Sequence, residues 1–153
     1  MSDRDLDRDP DREAVSPELD AMVGDLIGAF LDSLAEGEDP GVVACLEDAA
    51  SNRCEMAFSE DGAEACLTGA RQFIERHAKG VPGDGVGPVV RYALAYAGCI
   101  ELEDGFQDAV ITGFYERGQG SAYSAYVLYD GAGTGDGFQW ADPQPAGVEE
   151  PLI

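Results

Sequence analysis

Residues 89–130 read VVRYALAYAGCIELEDGFQDAVITGFYERGQGSAYSAYVLYD. Three runs of this stretch have the apolar and aromatic content typical of β-strands: residues 89–102, 106–117 and 122–130. Asp104-Gly105 is typical of a tight turn between the first two runs. Gly118-Gln119-Gly120 joins the second run to the third. The stretch therefore predicts three consecutive antiparallel strands.

Two amphipathic helices are predicted upstream of these strands. Ser16 is a typical N-cap and Pro17 a typical first helical residue, so the first helix is expected to begin there and to end near Gly37. Its apolar stripe repeats at three- and four-residue steps and consists of Leu19, Met22, Val23, Leu26, Ile27, Phe30, Leu31 and Leu34. The second helix is expected to run from Ser59 or Asp61 to about Ala78. Its apolar face consists of Ala63, Cys66, Leu67, Ala70, Phe73 and Ile74.

A β-hairpin is predicted between the helices, with strands at residues 41–46 and 53–58. One register gives it a single apolar face, formed by Val42, Ala44, Leu46, Cys54, Met56 and Phe58. This register places Cys45 on the other side of the hairpin from Cys54. It therefore forbids a disulfide between these two cysteines, whereas a shift of one residue would place them opposite each other.

The predicted fold class is α+β, with two amphipathic helices packed on one face of a mainly antiparallel five-stranded sheet in the order α-β-β-α-β-β-β. We assign one such domain to residues 16–130. Residues 1–15 alternate acids with arginine around a proline, which predicts a disordered tail. Residues 131–153 are rich in glycine, proline and acid and are expected to form an irregular tail with one short docking segment.

The chain carries 31 Asp and Glu against 9 Lys and Arg, for a formal net charge of −22. Of this charge, −14 falls on residues 16–129, so acidity belongs to the predicted domain and not only to its tails. Binding to nucleic acid or to an anionic membrane requires clustered basic residues, so neither partner is expected. Either a halophilic source or a GC-rich bacterial source could produce this composition.

The remaining composition favours a cytoplasmic protein with reduced thiols. No stretch of about 18 uncharged apolar residues is present, and the N-terminal residues are charged where a signal peptide would be apolar. Cys45, Cys54, Cys66 and Cys99 are too widely spaced for a C-x-x-C zinc or redox motif. Buried free thiols are therefore expected, and no metal or other cofactor is predicted.

The sequence offers little support for an enzyme. The single histidine, His77, is expected to cap the end of the second helix, although a pair with Cys66 or Cys99 stays possible geometrically. Two other clusters could be either simple surface segments or ligand-binding sites. Glu101, Glu103, Asp104 and Asp108 form a solvated acidic turn or a weak Ca²⁺ or Mg²⁺ site without EF-hand spacing. Residues 130–137 are glycine-rich, but no βαβ unit surrounds them, so a linker is expected.

The functional prediction depends on aromatic residues late in the chain, which are Phe114, Tyr115, Tyr123, Tyr126, Tyr129 and Trp140. If the helices cover only one face of the sheet, aromatic side chains on the other face would form an apolar patch. We therefore predict a small acidic module that binds a protein with a basic surface, or a second copy of itself, through this patch and its acidic rim. Alternatively, the C-terminal residues with Phe138 and Trp140 fold back over the patch, or the sheet bends around its own aromatic side chains.

A different function class uses another part of the predicted fold. A pocket between the helices and the sheet could bind a small molecule, with or without catalysis. Its polar side chains would be Tyr92, Tyr96 or Tyr126.

Overall fold

The computed structural model describes residues 16–59 and 62–153, which form two α-helices and seven strands. In chain order these elements are α1 (Pro17–Ala35), β1 (Val42–Asp48), β2 (Arg53–Phe58), α2 (Ala63–Arg76), β3 (Val89–Leu102), β4 (Gly105–Glu116), β5 (Ala122–Asp130), β6 (Gln139–Trp140) and β7 (Gln144–Glu149). The α+β class and the order of the first seven elements are confirmed. The predicted disordered tail, residues 1–15, lies outside the described residues.

All strands join one antiparallel sheet in the order β2-β1-β3-β4-β5, with β6 and β7 following each other along the outer edge of β5. The prediction of five strands is wrong because residues 131–153, expected to be an irregular tail, supply β6 and β7. Glycine and proline weaken the strand signal of this segment in isolation. The free edge of β5 compensates by offering backbone hydrogen-bonding groups along its whole length.

The helices pack on opposite faces of the sheet, so the prediction that both cover one face is wrong. Side chains clustered with α1 on the first face include those of Cys45, Ala93, Ala95, Val110 and Val127. Those clustered with α2 include Ala44, Leu46, Tyr92 and Leu94. These two sets alternate along β1 and β3, and neighbouring residues of a strand point to opposite faces. We call the two sides the α1 face and the α2 face.

The local features predicted for α1 and the hairpin are confirmed. Ser16 caps α1, because its Oγ accepts a hydrogen bond from the Leu19 amide at 3.0 Å. In the hairpin, Leu46 pairs with Cys54 and Cys45 pairs with Glu55, which is the predicted register. None of the four cysteines forms a disulfide. The pKa of the Cys45 thiol rises to about 12, and burial is the main cause.

A row of charged side chains crosses four strands on the α1 face. Arg53, Glu47, Arg91 and Glu116 are successive cross-strand neighbours on β2, β1, β3 and β4. Glu47 bonds both arginines, at 2.8 Å from Arg53 and 2.5 Å from Arg91, and Arg91 also contacts Glu116 at 3.2 Å. Asp25 of α1 contacts Arg53 at 3.1 Å. Because Glu47 and Arg91 are only 2% and 5% exposed, this charge row closes one end of the apolar layer under α1.

Asp48 joins the β1–β2 turn to the segment before β3. Its carboxylate accepts hydrogen bonds from the amides of Ala50, Asn52 and Gly87 at 2.8–2.9 Å and from the Asn52 side chain at 2.9 Å. These bonds, with that from Gly87 the strongest, lower the pKa of Asp48 to about 2. The ionised carboxylate is therefore part of the folded structure.

Acid should weaken the fold through Asp48. A carboxyl group whose pKa falls on folding contributes stability above its ordinary pKa, near 3.8, and loses that contribution as the pH falls toward about 2. We expect Asp48→Asn to lower the melting temperature at neutral pH and to reduce the loss of stability between pH 4 and pH 2. Thermal melts of both proteins across that range measure the difference. Parallel curves would contradict a role for the Asp48 charge.

Candidate functional site

The sheet separates the six aromatic residues that were predicted to bind a partner. Those on the α1 face are Phe114, Tyr123 and Tyr129. Those on the α2 face are Tyr115 and Tyr126, which alternate with the first group along β4 and β5. Trp140 lies in β6 and is 60% exposed. The six residues therefore do not form one continuous surface.

Two of the six belong to the core. Tyr115 is buried on the α2 face, where its ring centroid lies 5.9 Å from that of Tyr92. Tyr129 is buried on the α1 face beside Phe138, at a centroid distance of 5.7 Å, and burial raises the pKa of its hydroxyl. Phe138 itself is 8% exposed, so the segment after β5 does fold back on part of the α1 face. Neither tyrosine offers a surface to a partner.

The other end of the α1 face forms an open groove of about 410 Å³. Phe114 and Tyr123 lie side by side on paired strands, with ring centroids 6.5 Å apart. Val148 of β7 pairs with Tyr123 and is 68% exposed. The complete lining is Phe114, Tyr123, Ser124, Ala125, Pro143, Gln144, Pro145, Ala146, Gly147 and Val148. We call this site the aromatic groove.

The chemistry of the aromatic groove suits binding. Its lining residues are apolar or uncharged, and Tyr123 is the only one with an ionisable side chain. In sequence, the exposed Asp142 precedes the lining segment and the exposed Glu150 follows it, whereas Glu149 points to the α2 face, where its Oε1 approaches Gly113. Such a site can bury an apolar group in a negative field, whereas general acid and base catalysis needs proton-transfer groups that this lining does not supply.

The three tyrosines proposed for a small-molecule pocket all lie on the α2 face. The Tyr92 hydroxyl accepts a hydrogen bond from the Leu152 amide at 3.1 Å, and burial raises its pKa to about 12. Tyr96 lines a cavity of about 280 Å³ together with Cys66 and Ser59. Tyr126 lies on β5 beside Gln144 of β7. Tyr92 and Tyr96 share Arg71 and Glu149 as charged neighbours, but Tyr92 and Tyr126 do not line the cavity beside Tyr96.

His77 occupies the predicted capping position. It is the C-cap of α2, and its Nδ1 lies 2.8 Å from the Phe73 carbonyl oxygen. Its ring packs against the Phe73 ring at 4.6 Å. Cys66 lies eleven residues earlier, or about 16 Å along a helix, so the pair considered from sequence does not form. Cys99 is on β3 beside Asp108, with the sulfur 3.6 Å from the carboxylate.

The acidic turn and the glycine-rich segment, two further candidates from the sequence, do not have the geometry of a metal site and of a nucleotide-binding loop, respectively. Within residues 16–59 and 62–153, no group of three or more potential metal ligands is close enough to hold an ion, and this includes the acidic turn at residues 101–108. The glycine-rich residues 130–137 lead through a short 3₁₀ turn, Gly135–Gly137, into β6. Because no helix follows them, they lack the context of a nucleotide-binding loop.

Sequence reasoning missed the β7 side of the aromatic groove, namely Pro143, Pro145 and Val148. Their signal is weak, because Pro143 precedes β7 and Pro145 lies within it, and an exposed segment with such prolines resembles a coil. It also missed the projecting end of the β3–β4 hairpin, including Phe106. That feature had a usable signal, since both runs are longer than any strand available to pair with them.

No protein-family model matches the chain, and neither a curated protein sequence nor a solved structure is significantly similar to it. In the described part of the chain, no helix is long and apolar enough to cross a membrane. The chemistry of the chain's own surfaces is thus the basis for a functional proposal.

Proposed function

We propose that this protein is an acidic interaction module whose aromatic groove binds a basic segment of another protein. The observation that carries the proposal is the open apolar groove at one end of the α1 face, where Phe114, Tyr123 and Val148 meet. Aromatic side chains of this kind contribute much of the affinity at protein interfaces because they bury large areas with little conformational freedom to lose. The occupant is therefore a segment with an apolar side chain to insert.

Charge defines the rest of the proposed partner. The chain carries a net charge of −22, and the exposed carboxylates of Asp142 and Glu150 flank the groove-lining segment in sequence. A partner with Lys or Arg beside its apolar anchor would be attracted, and its association would be accelerated at low salt. A second copy of the chain would be repelled over long range, so we favour a different protein over a homodimer.

We also infer a cytoplasmic setting for this module. None of the four cysteines forms a disulfide, although Cys99 is exposed and therefore accessible to oxidation. Free cysteines persist most readily where the cell keeps thiols reduced. Oxidation of Cys99 during secretion of the chain would argue against this setting.

A peptide titration tests the aromatic groove. We expect a synthetic peptide that alternates arginine with leucine to shift the NMR signals of Phe114, Tyr123 and Val148, more strongly at low salt. Val148→Lys should weaken binding roughly tenfold, because it places a cation at the groove without altering the core. Met56→Lys is the matched control, since Met56 is also an exposed apolar strand residue but lies far from the groove, on β2.

Two outcomes would contradict this proposal. In the first, Val148→Lys and Met56→Lys weaken peptide binding equally, or the peptide shifts NMR signals over the whole acidic surface. Either result indicates binding by charge alone. In the second, light scattering finds a stable dimer that Val148→Lys dissociates, which assigns the groove to a second copy. A peptide in which glutamate replaces arginine should not bind and provides the control for charge.

A further inference from the structure

The β3–β4 hairpin extends beyond the rest of the sheet. Strand β1 pairs with β3 only through residues 89–95, and β5 pairs with β4 only through residues 109–114. Residues 99–102 and 105–108 pair with each other alone. We call residues 99–108 the arm. At its base, the Gln107 side chain donates a hydrogen bond to the Tyr129 carbonyl oxygen at 2.7 Å, which anchors the arm to the end of β5.

The arm exposes large apolar side chains. Phe106 is 74% exposed, the highest fraction among the exposed large apolar residues of the described chain, and Leu102 is 40% exposed. Phe106 pairs with Glu101 on one face of the arm, whereas Leu102 pairs with Gly105 at the turn. A two-stranded ribbon has no second layer in which to bury such side chains. The exposed phenyl ring is therefore available to fill a pocket on another molecule.

The charge of the arm restricts what that molecule can be. Glu101, Glu103, Asp104 and Asp108 are all exposed, and residues 99–108 contain no Lys or Arg. Four carboxylates around an exposed phenyl ring complement an apolar pocket bordered by cations, and they repel an acidic surface. The second copy of a chain with a net charge of −22 is a poor match, and a basic protein is a good one.

The arm is separate from the aromatic groove. Phe106 and Phe114 lie on the same face of β4, eight residues apart, which corresponds to roughly 27 Å along a strand. Between them, Val110 is fully buried in the cluster that contains α1. One partner segment in the groove therefore leaves Phe106 uncovered, and the arm needs an occupant of its own.

We propose that the arm docks by inserting Phe106 into an apolar pocket, bordered by Lys and Arg, on a basic partner protein. The carboxylates of the arm then face the cations at the border of that pocket. The proposal shares with the groove the idea of a basic protein partner, but it assigns a different surface and a different mode, in which this chain supplies the inserted side chain.

Photo-crosslinking in the cells that produce the protein tests the arm directly. Benzoylphenylalanine would replace Phe106 in the arm, Val148 in the groove or Met56 on β2 in three separate full-length chains. We expect the Phe106 position to crosslink a defined protein that the Met56 position does not. That protein is identified by mass spectrometry, purified and mixed with the unmodified chain, and Phe106→Ser should weaken their complex at least tenfold.

The outcomes separate the arm from the groove. Crosslinks from Val148 but not from Phe106 would overturn the arm and leave the groove proposal standing. Crosslinks from Phe106 but not from Val148 would overturn the groove proposal and leave the arm proposal standing. The arm proposal would also be overturned if the protein crosslinked at Phe106 had the same affinity for the Phe106→Ser variant as for the unmodified chain. An unchanged affinity at low salt for a variant with Glu101→Gln and Asp108→Asn would overturn it as well. Circular dichroism of each variant verifies that the exposed substitution leaves the fold intact.

Discussion

Replacing Arg91 with methionine is expected to lower the free energy of unfolding by about 3 kcal/mol. Arg91 is 5% exposed and bonds Glu47 and Glu116, so its removal leaves the 2% exposed Glu47 carboxylate with one cation instead of two. Glu47 keeps Arg53, which places the expected loss at the lower end for breaking a buried ion pair. Urea denaturation followed by circular dichroism measures it.

A second substitution distinguishes loss of the ion pair from loss of packing. Glu47→Leu combined with Arg91→Met removes both members of the buried Glu47–Arg91 ion pair between β1 and β3, and apolar replacements of buried ion pairs are often neutral in stability. We expect the double variant to be more stable than Arg91→Met alone. The single variant Glu47→Leu completes the comparison. If the stability losses of Glu47→Leu and Arg91→Met simply add in the double variant, the two residues are not coupled, and the explanation given for the stability of the charge row is wrong.

Phe138→Ala is expected to cost about 3 kcal/mol, a typical loss for removing a buried aromatic side chain. Phe138 is 8% exposed in the α1 cluster, and its ring contacts those of Tyr129 and Trp140 at centroid distances of 5.7 and 5.8 Å. It anchors the segment between β5 and β7. Hydrogen exchange of the β6 amides should therefore accelerate more than exchange in β1 or β3.

Trp140→Ala is the matched control for this anchor. Trp140 is two residues from Phe138 and larger, but it is 60% exposed. Substitutions of exposed residues usually change stability by about 0.5 kcal/mol or less, and we expect that range here. Equal losses in the two variants would show that Phe138 does not anchor the segment through burial.

The sequence predicted those parts of the fold that depend on local signals. The Ser16 cap and the apolar stripe of α1 specify a helix without reference to the rest of the chain. The hairpin register followed from one requirement, that Leu46 and Cys54 share an apolar face. The three- to four-residue repeat of apolar side chains specifies α1, and the two-residue repeat specifies which hairpin residues share a face.

The arrangement of layers needed information from both sides of the sheet. The uninterrupted apolar run of β1, from Val42 to Leu46, is typical of a strand buried on both faces, and this signal favours a helix on each side. Strands β6 and β7 form against the free edge of β5, which no local window describes. The helix layers were predicted incorrectly because the two-sided burial of β1 was not taken into account. The strand number was predicted incorrectly because β6 and β7 depend on pairing with β5.

The candidate site was predicted in composition but not in geometry. Phe114 and Tyr123 line the aromatic groove, whereas Tyr115 and Tyr129 are buried in the two core clusters. Period-two alternation assigns aromatic residues to faces, but exposure depends on what covers each face. The length of α1 and the path of residues 131–153 decide that coverage, and both are properties of the assembled structure.

The two borders of the sheet carry features that limit stacking of one molecule on another. Strand β7 contains Pro145, which has no amide hydrogen to donate to an added strand, and β2 presents the charges of Arg53 and Glu55. Open sheet borders otherwise promote fibre growth, because each added strand recreates the same border. With a net charge of −22 as well, the protein should stay dispersed at the high concentrations where exposed strands cause other proteins to precipitate.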